Sequence, residues 1–247
     1  MRLNELTSRD FARKRKNWAV LPIGCVEAHG PHLPIGSDTY QIEYVVSEIE
    51  KRTGALVLPT VPYGVCTSTR FLPGSVSLRP KTMRRVAQDI LGETVRNGFK
   101  KILVISGHAA ALHLAALREA ALAVAEKHDA TILVLSDYDL AFALPEVPPG
   151  DGHSGTIETS RVLAIRPRLV RGRGKKDRFP HSRFLVTRRL GVGWSGVAGD
   201  PRKASSALGR KVNQAILRDL IALMKEAEGV REAPRPPIRS PIEKKPR

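Results

Sequence analysis

Residues 101–137 read "KILVISGHAAALHLAALREAALAVAEKHDATILVLSD", and this stretch decides the fold. Its first eight residues, "KILVISGH", are an apolar run closed by glycine and histidine, the pattern of a buried strand. "AAALHLAALREAALAVAEKHD" (109–129) is rich in alanine and leucine and has the length of a helix. "ATILVLSD" (130–137) is a second apolar run of strand length. Strand, helix and strand in this order predict a right-handed crossover between parallel neighbours.

Outward from there the alternation continues. "WAVLPIG" (18–24) and "ALVLPTVPYG" (55–64) are further β-runs ended by glycine. "DTYQIEYVVSEIEKRTG" (38–54) carries apolar residues at helical spacing, with Gly54 where a C-cap belongs. "KTMRRVAQDILGETVRNGF" (81–99) reads as an amphipathic helix stopped near Gly98, and "SSALGRKVNQAILRDLIALMKEAE" (205–228) as the closing helix. The fold class predicted is α/β, a layered and mostly parallel sheet with helices on both faces. One domain spans 1–230, and a basic, proline-rich tail follows at 231–247.

Composition narrows the function. A chain of 247 residues with 42% hydrophobic content is large enough to bury a substantial core. No apolar stretch has the length to span a bilayer, and the basic N-terminal segment lacks the apolar region of a secretory signal. The expected compartment is the cytoplasm, with no membrane partner. Cys25 and Cys66 are too few for a disulfide framework and too isolated for a thiolate zinc motif, so Cys25 reads as a small buried residue. The formal charge of +17 is the outlier. The tail holds six Lys/Arg against two Glu with five prolines, and residues 166–189 hold ten Lys/Arg and one Asp. Without a recognition helix, zinc finger or interleaved aromatics, nucleic-acid binding is the minority reading. A basic surface that attracts anionic small molecules fits as well.

In parallel sheets ligands bind beyond the carboxyl ends of the strands. The polar oddities of the sequence gather there. "GCVEAHGPHLPIGSD" (24–38) puts Glu27, His29 and Asp38 after the first strand, His108 ends "KILVISGH", and "DGHSGTIETS" (151–160) brings His153 and Glu158. Imidazoles and carboxylates held together with one open coordination position are what a hydrolytic metal centre needs. The bland reading stands beside it: Asp38 as a helix N-cap, His108 as a hydrogen-bonded strand-end histidine. Convergence at one edge favours the metal site. His32, His113, His128 and His181 read as non-catalytic.

"LPIGCVEAHGPHLPIGSD", "PYGVCTSTRFLPGSVSL", "VISGH", "GHSGTIETS" and "GVAGDPRKASSALGRK" occur in this order over 18–228, and together they resemble the creatininase family. The resemblance implies a layered α/β fold, metal-dependent hydrolysis of C–N amide bonds and a homo-oligomer, usually a hexamer. It implies one or two divalent metals per subunit: zinc, iron or manganese. Asp38 would bridge two metals, with His29, His108 and Glu158 completing the tighter site, Glu27 in the second, and His153 transferring the proton.

The chain departs from the pattern at Ala110, where creatininases proper have a glutamate and the family usually reads "NGHGGN", so the second site is short of one protein ligand. Pro149 stands where creatininases carry the tryptophan that clasps creatinine, and Trp194 falls elsewhere in the sequence. Creatinine is therefore not the favoured substrate. The leading expectation is deformylation of a formylaminopyrimidine ribonucleotide, a reaction of other relatives. Arg70 and Ser75 are candidate substrate contacts, and Arg70, Arg79 or residues 171–178 offer cations for phosphate. The alternatives are a creatinine amidohydrolase, a peptide-cleaving relative, or a degenerate relative that binds nucleic acid or a partner through its basic segments.

Overall fold

A computed structural model describes residues 1–13, 17–182 and 185–229; the proline-rich tail lies outside the described residues. The elements in chain order are α1 (Ser8–Arg13), β1 (Trp18–Ile23), α2 (Ser37–Thr53), β2 (Leu56–Val57), α3 (Pro80–Arg96) and β3 (Lys101–Ser106). They are followed by α4 (Ala111–Ala125), β4 (Thr131–Ser136), α5 (Asp137–Ala141), α6 (Thr156–Ile165) and α7 (Ser206–Glu228). All strand pairs are parallel and the sheet order is β2-β1-β3-β4. No helix among the described residues is long and apolar enough to cross a membrane.

Strand side chains alternate between faces, and here both faces are apolar. Val20, Val57, Leu103, Ile105 and Leu135 point into one core, where α2 and α7 add Ile42, Val46, Ile216 and Leu220. Ala19, Leu21, Ile23, Leu56, Ile102 and Val104 point into the other, filled by Met83 and Leu91 of α3 and Leu117 of α4. Each buried Leu or Ile contributes on the order of 1.5–3 kcal/mol, so the two-sided burial holds the sheet. The run at 55–64 yields only two strand residues. Pro59 and Pro62 carry no N–H for the ladder, and pairing beyond Leu58 thins to a single Ile23–Val61 bridge.

The register places Ile23, Ser106 and Ser136 side by side at the carboxyl ends of β1, β3 and β4. The segments that leave these ends, with the first turns of α2 and α6, build one crevice. Gly107 is required there by a close approach: a Cβ at this position would lie 2.3 Å from the Asp38 carbonyl oxygen.

Behind the crevice, Arg161 is fully buried on α6. Its Nη2 donates to Asp137 Oδ2 at 2.5 Å and its Nε to Asn213 Oδ1 at 2.9 Å. The guanidinium also lies over the Tyr138 ring, 4.9 Å from the centroid. Removing one partner of such a buried pair costs about 3–5 kcal/mol. The pair therefore fixes α5 against α6.

Candidate metal centre

Glu27 and His29 lie in the loop after β1, Asp38 in the first turn of α2, His108 just past β3, and Glu158 in the first turn of α6. All five are buried, each less than 7% exposed. Asp38 divides its oxygens between two histidines: Oδ1 is 3.1 Å from His29 Nε2 and Oδ2 is 3.2 Å from His108 Nδ1. On the first side, Glu158 Oε1 is 3.3 Å from His29 Nε2. On the second, Glu27 Oε1 is 2.6 Å from His108 Nδ1.

The opposite ring nitrogens are spoken for. His29 Nδ1 donates to the Glu27 carbonyl at 3.0 Å, and His108 Nε2 donates to the Val65 carbonyl at 3.1 Å. This leaves His29 Nε2 and His108 Nδ1 facing the carboxylates, the arrangement in which a backbone acceptor fixes a metal-binding imidazole. His113, buried behind, accepts from the Val65 amide through Nδ1, and its Nε2 donates to Ser106 Oγ. Burial and the neighbouring His108 push its pKa down to about 3, so it stays neutral. It is a support for Val65.

The electrostatics suit a cation. Burial opposes the charge on both imidazoles, but the Glu158 and Asp38 carboxylates hold His29 well above the usual histidine range, and Glu27 with Asp38 does so for His108. Burial likewise opposes ionisation of Glu27 and Glu158, yet the histidines beside them keep both below the usual carboxylate range. Glu27 and Glu158 are thus held as carboxylates and His29 and His108 as imidazolium groups, all four buried. A divalent ion carries the same two positive charges as the protons on the two imidazoles and can take their place without changing the net charge. Glu27 Oε1 and Asp38 Oδ2 are both buried and converge on a single nitrogen, His108 Nδ1. His29, Asp38 and Glu158 offer ligand atoms within 4.8 Å of one another, as do Glu27, His108, Cys25 and Cys66. The donor set fits a divalent metal.

His153 stands beside this cluster. Its Nε2 donates to the Ala28 carbonyl at 2.8 Å, so Nδ1 is the basic nitrogen, 3.9 Å from both Glu27 Oε1 and Glu158 Oε2. Ser154, next in the chain, has φ 55°, the one non-glycine residue with positive φ among those described. Its amide donates to Glu158 Oε2 at 2.5 Å. Strain of this kind costs about 1–3 kcal/mol and clusters at functional sites.

Several contacts escaped sequence reasoning. Tyr138 Oη, with one hydrogen to give, lies 3.0 Å from Glu158 Oε1 and 2.7 Å from Gln41 Oε1, while Thr69 Oγ1 donates to Glu27 Oε2 at 2.5 Å. A hydroxyl two or more elements away leaves no spacing signal. A cavity of about 230 Å³ opens over the cluster, with Ala109, Ala110, Tyr138 and Phe142 among its walls.

Three readings change in three dimensions. The resemblance groups His108 with His29 and Glu158, whereas here it sits on the other side of Asp38 with Glu27. Trp194, remote in sequence, packs its ring 5.6 Å from that of His153, although it does not line the cavity. The two cysteines, isolated in sequence, touch: Cys25 Sγ and Cys66 Sγ are 2.8 Å apart. Of the suggested substrate contacts, Ser75 Oγ accepts from the Ala28 amide at 2.9 Å and so props the ligand loop. Arg70 is exposed, its guanidinium 5.1 Å from the Phe71 ring centroid.

Fold and site together define a class, α/β proteins that gather histidines and carboxylates at the carboxyl edge of a parallel sheet. The family model for creatininase, described as creatinine amidohydrolase, matches residues 4–224, and the chain belongs to the creatininase family. It is 32% identical over 172 residues to the creatinine amidohydrolase of Pseudomonas putida, a match covering 61% of this chain and 65% of that enzyme. It is 28% identical over 218 residues to the mycofactocin precursor peptide peptidase of Mycobacterium tuberculosis, covering 82% of each. Among solved structures, a mutant creatininase of Zn-Zn type superimposes with a TM-score of 0.79 at 25% identity, covering 91% of this chain and 97% of that one.

Proposed function

We propose that this chain is a metal-dependent amidohydrolase that breaks the C–N bond of a small amide. The observation that carries the reading is Asp38, whose two oxygens face two differently supported imidazoles. A divalent metal held by these residues, zinc in the related Zn-Zn creatininase, supplies Lewis acidity that polarises the amide carbonyl and acidifies water. His29 and Glu158 would hold one ion, Glu27 and His108 another, with Asp38 shared. His153 uses Nδ1 to take a proton from the attacking water and returns it to the departing nitrogen. Tyr138 and the Ser154 amide keep Glu158 in place, and Ala110 and Phe142 give the cavity an apolar wall.

For the substrate, the reading is a formamide on a phosphorylated pyrimidine ribonucleotide. The cavity of about 230 Å³ suits a formamide headgroup. The charge of +17 suits a phosphate, and Arg70 follows two residues after Ser68, which lines the cavity. A peptide end is the second reading, favoured by the 82% coverage of the mycobacterial peptidase. The test is incubation of the metal-loaded protein with the formylaminopyrimidine nucleotide, creatinine and a peptide in parallel. Formate release from the first alone supports the nucleotide. Peptide cleavage alone supports the second reading, and tight metal with no turnover of any amide sinks the enzyme proposal.

A further inference from the structure

Cys25 and Cys66 are 41 residues apart in sequence, both are free and buried, and neither has a place in the proposed hydrolysis. Their sulfurs at 2.8 Å are already nearer than two non-bonded sulfurs ordinarily rest, and a disulfide needs about 2.05 Å. Each thiol sits on an arm of the metal cage. Cys25 precedes Glu27 by two residues in the loop after β1. Cys66 follows Val65, whose carbonyl accepts from His108 and whose amide donates to His113. On the other side, the Cys66 amide donates to Ser77 Oγ at 2.9 Å, so this segment is held in place. The 41-residue loop between the thiols carries Glu27, His29 and Asp38.

We infer that Cys25 and Cys66 form a reversible disulfide that clamps the two arms of the site together. With a peroxide as the two-electron oxidant, two S–H bonds and the O–O bond break, one S–S bond forms and two waters leave. A dithiol reductant reverses the change, returning both hydrogens to sulfur while its own sulfurs join. Closing a loop of this length removes freedom chiefly from the unfolded chain, so the oxidised form is the more stable. The inference stands apart from the amidohydrolase reading, because none of its measurements uses turnover.

The full-length protein, reduced or treated with dilute hydrogen peroxide, is denatured and alkylated for mass spectrometry, and its Tm is followed in parallel. Two alkylated cysteines are expected in the reduced sample. None is expected after peroxide, with a linked peptide pair containing Cys25 and Cys66. Tm should rise on the order of 10 °C on oxidation and return with dithiothreitol. Cys25→Ser and Cys66→Ser should each keep one alkylatable thiol and lose the shift. Persistence of both thiols after peroxide overturns the inference, as does oxidation to sulfinic acid, a linkage between chains only, or a linked pair with unchanged Tm.

Discussion

His153 presents Nδ1 to Glu158 Oε2 at 3.9 Å, too long for a direct hydrogen bond. Because the Ala28 carbonyl holds its other nitrogen at 2.8 Å, the ring cannot turn to close the gap. Nδ1 thus faces the Glu27 and Glu158 carboxylates at 3.9 Å without bonding either.

His153→Ala should therefore leave metal content and Tm near wild type and lower kcat by about 10²–10⁴-fold on whichever amide is turned over. Metal analysis beside steady-state kinetics decides it. Turnover at the wild-type rate would remove His153 from the proton path.

The two sides of Asp38 should separate by metal counting. His108→Ala and Glu27→Gln should lose the same equivalent of zinc, and His29→Ala and Glu158→Gln the other, while Asp38→Ala loses both. If His108→Ala instead matched His29→Ala, the grouping seen in the geometry would be wrong.

The metal-stripped protein should weaken as pH rises. His29 and His108 have folded pKa values raised above the unfolded value of about 6.5. Their contribution is thus complete below about pH 6.5 and fades as pH climbs through the folded values. Glu27 and Glu158 are lowered, so theirs is present above about pH 4.3 and fades as pH falls through the depressed values. Tm of the stripped protein should peak between about pH 5 and 6.5, whereas zinc should flatten the alkaline limb by replacing the protons. A stripped protein that gains stability from pH 6.5 to 9 contradicts this.

Tyr138→Phe keeps the ring under Arg161 and deletes only the hydroxyl that reaches Glu158 and Gln41. Zinc affinity should fall by about 10–100-fold with little loss of far-UV signal. Competition with a chromophoric chelator measures it, and unchanged affinity would show that Gln41 and the Ser154 amide suffice.

The elements legible in sequence were those with long, regular patterns. The runs at 18–24, 101–108 and 130–137 became β1, β3 and β4, and the helices at 38–54, 81–99, 109–129 and 205–228 became α2, α3, α4 and α7 within a few residues. α5 has five residues, too few for a period to declare itself, and α6 begins among glycine and serine beside His153. Glu27, His29, Asp38, His108 and Glu158 were legible because each sits just past a strand or in the first turn of a helix. Which histidine shares which carboxylate was not, since that depends on Val65 and Glu27 carbonyls that leave no trace in side-chain spacing. Trp194 reaches His153 only because the chain after α6 returns across the crevice, where the Ala198 amide donates to the His153 carbonyl at 2.7 Å.

The hydrogen at Gly107, where other residues carry a β-carbon, works as a ruler. With the Asp38 carbonyl 2.3 Å from where that carbon would sit, even an alanine would wedge α2 away from β3 and prise the aspartate from His108. Substitutions in the walls of the crevice can thus reshape it freely, whereas the gauge between strand end and helix start admits no side chain.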